Sequence, residues 1–138
     1  MRITMTGAVL SAMCVAATAL TGCAGGGREY VATTSLSNLV TITVMGDKVT
    51  FLDEWCNQES PEEFKASGDL DSAETMITWM EVEQFGTNSP LFDVGDTSEF
   101  STTASKDSIL LDGDTYFNTS SENGKMVIEA HETHCSSL

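Results

Sequence analysis

The chain has 138 residues, 21 of them acidic and 6 basic, for a formal net charge of −15 at pH 7. Such a surface repels phosphate, which excludes nucleic-acid binding and disfavours docking on anionic lipid heads. The same charge favours solubility and attracts cations and basic partners.

The chain opens on the basic pair Met1-Arg2 and then runs without charge from Ile3 to Leu20. Its most apolar part, Ala8 to Leu20, is shorter than the about 20 residues a spanning helix needs. It matches the about 7–15 residues of a signal-peptide core. Leu20-Thr21-Gly22-Cys23 closes this stretch. The tetrapeptide resembles the lipobox of bacterial lipoproteins, and the resemblance covers residues 1–23 only. It implies removal of residues 1–22 as a lipoprotein signal peptide, lipid attachment at Cys23, and a mature protein anchored on the extracytoplasmic face of a cell membrane. Ala24 in place of Asp implies no inner-membrane retention signal of the Gram-negative kind. Each buried acyl methylene contributes about 0.8 kcal/mol, and two chains anchor stably where one does not. The alternative is an ordinary secretory signal cut near Ala17 or Ala19, which leaves Cys23 as a thiol.

Export makes the cysteines informative. Cys14 leaves with the signal and Cys23 carries lipid. Cys56 and Cys135 remain, an even pair in an oxidising compartment, and are predicted to form a disulfide. A loop of that length stabilises by about 4–5 kcal/mol in the chain-entropy model.

Residues 23–37 read as the acylated cysteine and a flexible tether, starting with Ala24-Gly25-Gly26-Gly27. Within them Tyr30 to Thr33 is a candidate edge strand. Residues 38–138 read as a single domain. Val40, Ile42 and Val44 alternate with Thr41 and Thr43, the period of a strand. Gly46-Asp47 suits a type II′ turn, and Lys48 to Leu52 is the return strand. That register sets Val44 opposite Val49, Ile42 opposite Phe51 and Thr43 opposite Thr50, with the apolar residues on one face. Ser60-Pro61-Glu62-Glu63 carries a capping box and predicts a short helix ended by Gly68. Thr75 to Phe85 is a strand with Met76, Met80 and Val82 on one face and Ile77 and Trp79 on the other. A strand apolar on both faces is central or covered. Gly86 to Asp96 is a long loop whose apolar residues predict that it packs down. Glu99 to Thr103 is a short strand. Ser108 to Leu111 and Asp114 to Thr119 form a second hairpin about Asp112-Gly113. Asn123-Gly124 carries a type I′ signal for a third, with Thr119 facing Ile128 and Phe117 facing Ala130.

These elements predict an all-β fold, a small antiparallel meander of about 6–8 strands with one short helix, closed as a barrel or folded as a sandwich. Hairpin connections favour a lipocalin-like barrel. The Cys56 to Cys135 spacing without a central Trp does not suit an immunoglobulin-like sandwich.

Three constellations bear on chemistry. His131 and His134 are the two histidines; on a strand they face opposite sides and cannot share an ion. The acidic groups Asp69/Asp71/Glu74, Asp93/Asp96/Glu99 and Asp112/Asp114 lack EF-hand spacing, so no metal site is predicted. Asp69, Asp71, Asp93 and Asp96 are weak calcium candidates. Phe64, Phe85 and Phe92 are candidates to line a barrel mouth, where such folds bind ligands. No nucleophile elbow or phosphate loop occurs, and neither enzyme activity nor a cofactor is expected. The sequence therefore reads as an anchored module that binds a small apolar ligand or an envelope protein. The alternatives are a structural surface lipoprotein and, weakly, a cryptic hydrolase.

Overall fold

The computed structural model describes residues 27–56 and 62–138. The expected signal peptide, Cys23 and the start of the tether lie outside these residues. The described chain forms eight strands and one helix: β1 (Arg28–Ala32), β2 (Asn38–Met45), β3 (Lys48–Trp55), β4 (Glu62–Leu70), β5 (Met76–Phe85), β6 (Thr97–Thr102), β7 (Ser108–Leu111), β8 (Asp114–Asn118) and α1 (Glu122–Ser136). Each strand pairs antiparallel with the next, and β8 returns to β1, so the sheet closes as a barrel. Closure leaves β1 between β2 and β8 rather than at an edge. The barrel therefore begins inside the stretch expected as tether.

The first hairpin has the expected register, with Val44 opposite Val49, Ile42 opposite Phe51 and Thr43 opposite Thr50. Gly46 sits at φ 63°, as the first position of its turn requires. The β7–β8 hairpin turns on Asp112 and Gly113, both at positive φ, the type I′ pattern. Inward residues fill the barrel: Ile42, Ile77, Trp79 and Ile109 are fully buried, with Val40, Val44, Phe51, Phe64, Phe100 and Leu111 around them.

Three sequence expectations are corrected. Glu62 to Gly68 is strand, not helix. Phe64, Ala66, Gly68 and Leu70 alternate inward along β4, and burying that face between β3 and β5 outweighs a local cap. Ser60 and Pro61 of the expected cap lie outside the described residues. Asn123-Gly124 opens α1 instead of turning a hairpin, so the pairings of Thr119 with Ile128 and Phe117 with Ala130 do not form. The Ser121 hydroxyl caps α1 by accepting from the Gly124 N–H at 3.0 Å. Gly124, Val127, Ile128, His131 and Cys135 then share a helical stripe against the barrel wall. Finally, β5 is not apolar on both faces. A bulge leaves Met80 unpaired between Trp79, the partner of Gly68, and Glu81, the partner of Ser67, reversing the alternation midway. Val82 therefore packs toward the core with Trp79, while Met76 and Met80 stay exposed.

Register also orients the barrel. One rim carries the N-terminal end of β1, where Arg28 pairs with Val44, and the Gly46-Asp47 turn. The far rim carries Asn38, Trp55, Glu62 and Phe85. The helix starts beside the end of β8, where Ser121 N–H bonds Asn118 O, and reaches the far rim at its C-terminus. There Cys135 is disulfide-bonded to Cys56, with Cα atoms 5.7 Å apart.

Candidate functional site

At the far rim the inward sets of β2, β3, β4 and β5 turn from apolar to polar. Asn38, Asp53, Glu62 and Gln84 replace the aliphatic residues found deeper in the barrel. A cleft of 330 Å³ opens there, lined by Asp53, Trp55, Glu62, Glu63, Phe64, Gln84, Asn88, Ser89 and Leu91. That volume lies at the lower end of small-ligand sites.

Asp53 forms its base and is 7% exposed. Asn38 Nδ2 donates to Asp53 Oδ1 at 3.0 Å. Asn38 is fixed in turn, because its Oδ1 accepts from the Thr34 N–H, the Thr34 hydroxyl and the Ser35 N–H at 2.9–3.0 Å. The β1–β2 loop thus aims one donor at the carboxylate. Burial raises the Asp53 pKa, and the hydrogen bonds from Asn38 and Trp55 oppose that rise. Burial also pushes the nearby Tyr116 phenol up to about 12, reinforced by the charges of Asp114, Asp53 and Asp112.

Above Asp53, Glu62 Oε1 accepts from the Thr87 hydroxyl at 3.0 Å. Gln84 Nε2 donates to the carbonyls of Glu63 at 3.3 Å and Phe85 at 3.1 Å. Its other terminus, Oε1, is buried and has no partner among the described residues. A buried acceptor left unmade costs about 1–3 kcal/mol. The cleft is lined by three carboxylates and two side-chain amides, with apolar walls from Trp55, Phe64 and Leu91. No lysine or arginine lines it among the described residues.

The three candidate phenylalanines separate. Phe64 lines the cleft. Phe92 lies instead in the core plug, stacked on Trp79 with ring centroids 4.4 Å apart and 5.7 Å from Phe64. Phe85 is 66% exposed and lines no part of the cleft. The Gly86 to Asp96 loop packs down as expected, through Phe92.

Three of the four aspartates weighed as weak calcium candidates, Asp69, Asp71 and Asp96, make separate local bonds. Asp69 pairs with the Lys48 ammonium, and that pairing together with the Asp47 charge raises the Lys48 pKa. Asp71 accepts from the Thr75 N–H, the Thr75 hydroxyl and the Met76 N–H, which lowers its pKa. Asp96 Oδ2 accepts from the Asp93 N–H at 2.9 Å. Among the described residues the metal-ligating atoms that converge are those of Cys56, His131 and Cys135, within 4.8 Å of one another. Spacing on a strand had set His131 and His134 apart. On α1 they lie on one side, His131 Nδ1 at 3.0 Å from Leu36 O and His134 Nε2 at 3.1 Å from Ser37 Oγ.

Sequence reasoning missed Asp53 and Gln84. The return strand Lys48 to Leu52 was ended one residue before Asp53, although Val49, Phe51 and Asp53 continue one alternation. The bulge hides the phase of Gln84.

Comparison of the chain with protein-family models, with curated proteins and with solved structures finds no match. No helix among the described residues is long and apolar enough to cross a membrane. The closed eight-stranded barrel is a fold compatible with ligand binding.

Proposed function

We propose that this chain is a non-catalytic, lipid-anchored extracytoplasmic binding module, and that its ligand is a small amphipathic cation held in the far-rim cleft. The observation that carries this reading is the Asp53 carboxylate, buried at the base of an open cleft between Trp55 and Phe64. A protonated amine is the natural partner of such a carboxylate, and the aromatic walls accommodate its apolar part. Gln84, whose Oε1 has no partner among the described residues, lines the same cleft. The filled barrel core argues against the wholly apolar ligand expected from sequence, and it is the feature that favours a purely structural lipoprotein as the second reading.

β1 starts at the opposite rim, so a Cys23 anchor upstream of it would hold the cleft away from the bilayer. Titration with a small arylalkylamine, followed by the Trp55 indole and Gln84 amide NMR signals, is expected to shift both. The corresponding uncharged alcohol is expected to shift neither, and Asp53→Asn to abolish the response. Equal responses to amine and alcohol, or none to either, sink the cation reading. Release of the Cys23→Ala variant from membranes into the soluble fraction tests the anchor separately.

A further inference from the structure

The C-terminal clip holds more than a disulfide. His131 stands one helical turn before Cys135, and its Nε2 lies 3.4 Å from Cys135 Sγ. Its Nδ1 faces the Leu36 carbonyl at 3.0 Å. A carbonyl only accepts, so Nδ1 carries the proton and Nε2 is left with its lone pair. A backbone carbonyl on the other ring nitrogen is how metal-binding histidines are commonly oriented. We propose that the reduced form of this protein binds one thiophilic divalent cation, zinc being the type, through Cys56 Sγ, Cys135 Sγ and His131 Nε2.

Dimensions support the assignment. Tetrahedral zinc with Zn–S about 2.3 Å and Zn–N about 2.0–2.1 Å separates its ligand atoms by roughly 3.5–3.8 Å. Cys135 Sγ lies 3.4 Å from Nε2 and 3.6 Å from Nδ1, beside the ring. A swing of the imidazole and the parting of the two sulfurs on reduction are therefore needed to aim all three at one ion. The three ligand atoms already lie within 4.8 Å of one another. The three residues are half-buried, partly shielded yet within reach of an ion. Cys135 occupies the last turn of α1, where the carbonyl end of the helix favours positive charge. The net charge of −15 raises the local cation concentration. Three protein ligands leave a fourth position for water or an outside ligand.

The chemistry balances with a dithiol as reductant. The dithiol gives two electrons and two protons to the Cys56–Cys135 bond and leaves as its own disulfide. Each cysteine thiol then releases one proton as the metal binds, so two thiolates and a divalent ion make a neutral centre. An incoming disulfide, taking two electrons from the thiolates and two protons from water to become a dithiol, would expel the ion and restore the covalent clip. Either state ties α1 to the end of β3, so the helix stays docked while the chemistry of the rim changes.

The test uses the exported protein, reduced anaerobically with a dithiol that is then removed, and cobalt(II) as the visible probe. One equivalent of cobalt is expected to give a thiolate-to-metal charge-transfer band that zinc abolishes. The disulfide form is expected to give none. His131→Ala should weaken binding by at least the about 10–100-fold that loss of even an outer partner costs. His134→Ala should bind as the parent does. Should reduction loosen the fold, the same proposal requires zinc to raise the melting temperature of the reduced parent and not of His131→Ala. Absence of both the band and the zinc-dependent rise overturns the proposal, as does a loss caused by His134→Ala instead of His131→Ala.

Discussion

Gly124→Ala is the substitution whose sign separates packing from propensity. In an exposed helix, replacing glycine by alanine stabilises by about 1 kcal/mol, because the backbone loses less freedom on folding. Gly124 is the buried residue of α1 and sits in its first turn. A methyl group there would lie 2.0 Å from Asn118 O, 2.8 Å from Asn118 C and 3.0 Å from Thr119 Cα. All three are backbone atoms at the end of β8, so no side chain can swing aside. The helix must lift from the barrel, which strains the Ser121 cap and the Lys125 N–H to Ser121 O bond at 3.0 Å. Overpacking of this kind costs about 1–3 kcal/mol, and contact with backbone places it at the upper end. Set against the propensity gain, the net loss is about 2 kcal/mol. At about 4 °C per kcal/mol for a domain of this size, the melting temperature should fall by about 8 °C. Thermal denaturation of the oxidised parent and variant by circular dichroism measures it. A melting temperature raised by several degrees would mean that α1 does not approach β8 as closely as described, and the reasoning would fail.

Two further outcomes follow from the rim. The Asp53 pKa is raised above its ordinary 3.8, so its contribution to stability is fully present below that value and is lost as pH rises through the folded-state pKa. Parent stability should therefore decline relative to Asp53→Asn as pH rises from about 3.8 toward neutrality; urea curves that stay parallel across that window would contradict the burial argument. Cys56→Ser and Cys135→Ser should each lose about 4–5 kcal/mol in urea denaturation, because either change opens the same 79-residue separation. Clearly unequal losses would mean that the unpaired thiol, not the missing cross-link, dominates.

The first hairpin was legible because two local signals agreed: strict alternation through Val40, Ile42 and Val44, and glycine first in a two-residue turn. The disulfide followed from counting cysteines after export. The errors came where a strong local signal met a longer pattern. Ser60 to Glu63 has the composition of a helix cap, yet Phe64, Ala66, Gly68 and Leu70 repeat at period two, and nine residues of strand bury more than two turns of helix. Asn123-Gly124 has the composition of a hairpin turn, yet Val127, Ile128, His131 and Cys135 repeat at helical spacing. Glycine was required there for close approach to β8, not for a positive φ, and a dipeptide cannot tell those needs apart. The Cys–His convergence was hidden for the same reason, since on a strand His131 and Cys135 share a face but stand about 13 Å apart.

The bulge in β5 links the fold to the cleft. Gly68 faces it across the ladder, and a methyl group there would meet Thr78 O at 2.6 Å, Ile77 Cγ2 at 2.9 Å and Trp79 Cε3 at 3.1 Å. Glycine therefore lets the bulged strand close on β4 while Trp79 enters the core and its indole N–H donates to Ser98 Oγ at 2.9 Å. Past Met80 the alternation is reversed, so Val82 and Gln84 turn inward and Glu81, Glu83 and Phe85 turn out. Were the same sequence to run on as a regular strand, with no bulge at Met80, the inward positions would fall to Glu81, Glu83 and Phe85. Two carboxylates would then face the aliphatic interior, where ionised groups are strongly disfavoured, and the Gln84 acceptor would leave the cleft. By absorbing Met80, the bulge thus keeps the lower barrel apolar and its rim polar, and that division is what makes a binding site at the mouth compatible with a filled core.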